Sequence, residues 1–174
     1  MPLNSDLRIR LACKLKPEAK GVSELLEKIA SYGWSGDRSR LSKGGLAARI
    51  TGISLDEDEL MLSVDFDDAD GLDDLAKALG RECWYIDVYY HLRGELAQKA
   101  VESLGLDLNS KNILRMRESG VELKVELYPD AGAATISYRA GWGELNRGIV
   151  KKVHGRILGS GSRRGLKKLL RWGK

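Results

Sequence analysis

The stretch Cys83-Trp84-Tyr85-Ile86-Asp87-Val88-Tyr89-Tyr90 decides the fold. Aromatic and β-branched side chains crowd it, and these fit a pleated, half-buried surface, so it predicts a strand. Immediately before it, Leu72, Leu75, Ala76 and Leu79 recur at helical spacing behind a run of acids, which the positive end of a helix favours. Further back lie two strand candidates, Leu46 to Ile53 and Leu60 to Phe66, with Asp56 to Glu59 as a polar turn between them. In the second, Leu60, Leu62, Val64 and Phe66 share one face, and Met61, Ser63 and Asp65 the other.

At the start of the chain, Leu7, Ile9 and Leu11 alternate with Arg8 and Arg10, the period of a half-buried strand. Pro17 suits a first helical turn, and Val22, Leu25, Leu26 and Ile29 then form the apolar stripe of an amphipathic helix that ends near Gly33. Residues 35–45, rich in Ser, Gly, Asp, Arg and Lys, read as a loop. The order is therefore β-α-β-β-α-β, a ferredoxin-like arrangement with two helices on one face of an antiparallel sheet.

Downstream, Leu92, Leu96, Ala100, Val101 and Leu104 predict a third helix, stopped by Gly105. Strand candidates 112–117, 121–127 and 133–139 follow, separated by Ser119-Gly120 and Pro129-Asp130-Ala131-Gly132. This three-stranded meander either extends the first sheet or makes a second small layer. A last helix is expected over 143–157. The expected class is α+β, with one compact domain over 1–158 and a linker and basic amphipathic tail over 159–174.

With 174 residues, 43% of them hydrophobic, the chain is long enough for one domain with a real core. No apolar run approaches the ~20 residues that a membrane span needs, and Met1 to Asp6 lacks the order of a secretory signal. Cys13 and Cys83 both lie in strand-like stretches and read as buried free thiols of a reducing cytoplasm.

Charge is segregated. From Leu145 onward there are basic residues but no acidic one, and all 25 Asp and Glu fall earlier. Within 159–174, Gly159-Ser160-Gly161-Ser162 reads as a linker. The helix-forming remainder sets Leu166, Leu169, Leu170 and Trp172 against Lys167, Lys168, Arg171 and Lys174, with Arg163 and Arg164 leading in. Such a segment suits an anionic membrane or a phosphate backbone, and it could also fold back on the acids.

Those acids form a strip: Asp56, Glu57, Asp58, Glu59, Asp65, Asp67, Asp68, Asp70, Asp73 and Asp74, with no Lys or Arg among them. As a calcium loop the strip fails. With Gly71 in the sixth position, Phe66 and Lys77 occupy the end positions where carboxylates are required. A docking face for a basic partner is the functional reading, because such a face speeds encounter. A solvated edge is the plain alternative. RNA binding on the sheet is rejected here, since Met61, Ser63 and Asp65 offer no aromatic and an acidic surface repels phosphate.

Catalytic chemistry is sparse. His91 follows Cys83 by eight residues on one strand, roughly 26 Å away at ~3.3 Å per residue, so the two cannot act as a pair. His154 lies among lysines and reads as a surface residue. No metal motif, nucleophile elbow or P-loop is present, so binding without catalysis, cofactor, metal or small-molecule ligand is expected.

The opening strand, the Glu/Leu-rich helix and then Ser31-Tyr32-Gly33-Trp34-Ser35 resemble the immunity proteins of bacterial polymorphic and contact-dependent toxin systems, over about residues 7–35. That resemblance implies a protein that binds and neutralises a cognate toxin and needs no cofactor. The expected interface is the acidic strip together with Tyr32 and Trp34 as exposed aromatics, meeting a basic toxin in the cytoplasm. The alternative is a nucleic-acid or anionic-membrane adaptor acting through the basic tail. The oligomeric state is left open.

Overall fold

Burial on alternate residues organises the molecule. A computed structural model describes residues 6–17, 21–57, 59–66, 69–110 and 112–159. Within it, β1 (Leu7–Leu15) buries Ile9, Leu11, Cys13 and Leu15, and β6 (Cys83–Arg93) buries Cys83, Ile86, Val88, Tyr90 and Leu92. Both strands turn these residues to the same side, where the helices lie. Each such aliphatic side chain contributes on the order of 2 kcal/mol when fully removed from water.

The first half contains α1 (Val22–Ala30), β4 (Leu46–Asp56), β5 (Glu59–Phe66) and α2 (Ala69–Glu82) in addition to these strands. The second half adds α3 (Gly94–Ser103), β7 (Ile113–Glu118), β8 (Val121–Tyr128), β9 (Ala133–Ala140), α4 (Trp142–Asn146) and α5 (Ile149–Leu158). Residues 35–45 are not a loop. They form a hairpin of β2 (Ser35–Gly36) and β3 (Arg40–Lys43), because Leu41 finds a buried site at 2% exposure while its neighbours stay wet. Leu92 belongs to β6 and not to the third helix, which starts two residues later; β6 is prolonged by its pairing with β9. The final helix is broken in two at Gly148, whose φ of 79° lies in the left-handed region that glycine enters without penalty.

Among the described residues nine strands form one sheet in the order β2-β3-β4-β5-β1-β6-β9-β8-β7, and each of these pairings is antiparallel. The meander therefore extends the first sheet, through β9 on β6. The class is α+β, with strands dominating. The helices pack on one another, α2 against α1, α4 and α5, and α3 against α5, as a single layer. Gly80 of α2 lies against Leu145 of α4, where a β-carbon would collide with it.

Cys13 and Cys83 are joined by a disulfide between β1 and β6, correcting the expectation of free thiols. The sequence places them 70 residues apart; the bulge in the β1–β6 register, where Leu15 opposes Cys83, brings their Cα atoms to 5.7 Å. No helix among the described residues is long and apolar enough to cross a membrane.

Candidate binding face of the sheet

The residues that alternate with the buried ones form the opposite face, which no described helix covers. On β1 these are Arg8, Arg10, Ala12 and Lys14; on β6 they are Tyr85, Asp87, Tyr89 and His91. The β1–β6 register sets Arg8 opposite His91, Arg10 opposite Tyr89 and Ala12 opposite Asp87. On the other flank of β6, β9 brings Arg139, Ser137 and Thr135 beside Asp87, Tyr89 and His91. Lys124 and Arg115 continue the Ser137 row outward on β8 and β7.

Tyr89 and His91 present parallel rings, 6.0 Å between centroids and 2° between planes. The His91 Nδ1 lies 3.2 Å from the Thr135 hydroxyl, and its Nε2 is buried without a hydrogen-bond partner among the described residues. Burial, then the charges of Arg10 and Arg8, lower the pKa of His91, so the ring is held neutral near pH 7. Burial, then Asp87, raise the pKa of Tyr89, with Arg139 and Arg10 opposing.

Charge on this face is unevenly satisfied. Asp87 takes a two-pronged contact from Arg139, at 2.8 and 3.1 Å, and that hydrogen bonding raises the arginine's already high pKa. The Arg139 guanidinium also covers the Tyr85 ring at 3.8 Å. Asp65 is held by Arg49 at 2.7 Å and Glu122 by Arg115 at 3.5 Å. Arg8, Arg10 and Lys124 form no ion pair among the described residues. The face is basic and aromatic at its centre, which corrects the reading of an acidic sheet without aromatics. That reading took β5 alone, but its neighbour β1 and the next strand β6 supply Arg8, Arg10, Tyr89 and His91.

The acidic strip does not stay together as an open surface. Asp65 lies on the helix-free face, whereas Asp70, Asp73 and Asp74 lie on α2. Asp70 pairs with Lys151 of α5 at 2.6 Å, Asp73 with Lys77 at 3.1 Å and Asp74 with Lys43 of β3 at 3.0 Å. Asp73 is itself buried, and its Oδ1 has no hydrogen-bond partner among the described residues. Asp56 stands exposed at the end of β4. Asp58, Asp67 and Asp68 lie outside the described residues, as do Arg163, Arg164, Lys167, Lys168, Arg171, Trp172 and Lys174 of the basic tail.

The expected aromatic anchors are not free either. Trp34 is fully buried, at 0% exposure, because the β2–β3 hairpin folds beside α1; its indole N–H donates to Asp74 at 3.2 Å. Tyr32 is half-buried, donates to Glu82 at 2.6 Å and has the Arg81 guanidinium over its ring at 4.9 Å. His154 is buried, not a surface residue, with its Nδ1 2.6 Å from the Tyr90 hydroxyl. The stripe Val150, Val153, Ile157 puts it on the inner side of α5, a signal present in the sequence but masked by flanking lysines. Compared with known proteins, the chain matches no family model and no curated sequence.

Proposed function

We propose that the protein is a binding module, not a catalyst, and that its partner docks on the helix-free face of the sheet. The observation that carries this reading is the pair Arg8 and Arg10, mid-sheet, without an ion pair among the described residues, and set across the strand from the parallel rings of His91 and Tyr89. Two guanidinium groups that no described carboxylate pairs, set beside planar side chains, are a poor way to stabilise a sheet. They are a good way to present charge and stacking area to a ligand. Against a catalytic role for His154, the ring is buried in the core with its Nδ1 2.6 Å from the Tyr90 hydroxyl.

The strand order β4-β5-β1-β6, with α1 and α2 as connections, supports reading the first half as ferredoxin-like. The cytoplasm is the proposed location, although a disulfide is uncommon in that reducing compartment. Both half-cystines are buried, at 5% and 2% exposure, and burial shields the bond from cellular thiols.

Affinity capture with the full chain as bait, from its source cell, tests the docking face. Arg10→Glu combined with Ala12→Trp should abolish capture, while Asp56→Lys combined with Glu57→Lys should leave it intact. The reverse pattern would support a second reading, an immunity or antitoxin-type protein that meets a basic toxin. That reading is favoured by the exposed Asp56 and Glu57 at the β4–β5 turn, which form no ion pair among the described residues.

A further inference from the structure

We propose that the ligand of the helix-free face is single-stranded nucleic acid; this rests on that face being the docking surface. The argument combines charge, ring geometry and shape. Among the described residues Arg8, Arg10 and Lys124 form no ion pair with a carboxylate, so their charges face phosphates without such a pair having to break. Arg115 and Arg139 stand nearby on the same face, each paired with a carboxylate at the surface.

Between these cations lie Tyr89 and His91, with ring planes 2° apart. Base–aromatic stacking tolerates any sequence, because every base has a π face. A neutral imidazole offers its ring as a stacking surface, and the partly exposed hydroxyls of Ser63 and Thr135 border the platform, beside Arg10 and His91 respectively. The Tyr85 ring is already covered by Arg139, which leaves Tyr89 and His91 as the free pair.

Shape selects single over double strands. Strands lie ~4.8 Å apart, so β5, β1, β6, β9 and β8 together span roughly 20 Å. The major groove is about 12 Å wide and admits one helix or a two-stranded ribbon, not a broad sheet. Unpaired bases, splayed on a flat surface, can reach the rings where stacked pairs cannot.

The test is fluorescence anisotropy of the full chain with labelled 12-nucleotide oligo(dT) and oligo(rU), and with a duplex of the same length. The single strands should bind more tightly than the duplex. Tyr89→Ala should weaken that binding by roughly 5- to 100-fold, and Tyr89→Phe should retain it. Arg8→Ala with Arg10→Ala should reduce the slope of log affinity against log salt by about 1.4. Far-UV circular dichroism checks each variant, and Tyr89→Phe together with the arginine pair keeps the test decisive if Tyr89→Ala unfolds. Equal binding of duplex and single strand would overturn the proposal, as would undiminished binding by the arginine variant, which would move the site elsewhere, or no binding at all. If oligonucleotides fail to bind while Arg10→Glu with Ala12→Trp still loses the captured partner, this inference falls and the docking face stands.

Discussion

The indole N–H of Trp34 and the carboxylate of Asp74 meet at 3.2 Å, joining the turn after α1 to the middle of α2. The same Asp74 oxygen receives Lys43 from β3 at 3.0 Å. One carboxylate thus holds an edge hairpin and a buried indole against the helix layer, which is why it is not free to meet a partner.

Replacing that carboxylate should cost stability. Asp74→Ala leaves the buried Trp34 N–H without an acceptor, a loss of about 1–3 kcal/mol. Urea denaturation followed by tryptophan fluorescence measures it; an unchanged midpoint would show that the indole finds another acceptor.

The β2–β3 hairpin is held by Leu41, one of the largest fully buried side chains. Leu41→Ala should destabilise the protein by about 2–5 kcal/mol, the range for a large-to-small change in a packed core. If residues 35–45 were a surface loop, as composition suggests, the loss would stay within about 0.5 kcal/mol.

The Cys13–Cys83 bond closes a loop of 70 residues. Constraining an unfolded chain over that length is worth on the order of 4 kcal/mol. Unfolding in the presence of a phosphine reductant should therefore begin at distinctly lower urea than without it. Coincident curves, or two free thiols on titration of the denatured chain, would remove the bond.

His91 sets a pH dependence. Its folded pKa lies below the ordinary 6.5, chiefly because of burial, so the unfolded chain binds the proton more readily. Its contribution is complete above about pH 6.5 and is lost as pH falls through the lowered folded value. The urea midpoint of the wild-type protein should fall between pH 7.5 and 5.5 by more than that of His91→Gln. Parallel behaviour of the two proteins would assign the acid sensitivity to other groups.

Much of the architecture was legible from local pattern. The alternation Leu7, Ile9, Leu11 with Arg8 and Arg10 marked β1 and the sides of its residues, and the helical stripes of α1 and α2 were visible at their spacings. The site was less legible. Alternation marks Arg8 and Arg10 only as the wet side of a strand, and composition marks Tyr89 only as a contributor to strand propensity. The strip from Asp56 to Asp74 was conspicuous as charge, yet its cations come from Lys43, Arg49 and Lys151, remote in the chain. The loop reading of 35–45 failed because a short edge hairpin with a single buried leucine has too little apolar content to show a period.

Alternation and helical spacing are properties of near neighbours, so the amino-acid order alone determined which residues form strands and helices and which side of each is apolar. Strand order and register depend on hydrogen bonds between segments up to 85 residues apart, for which no local pattern exists. Only the folded sheet therefore decided that β1 lies beside β6, placing Arg8 and Arg10 against His91 and Tyr89 and turning two separate alternations into one basic, aromatic surface.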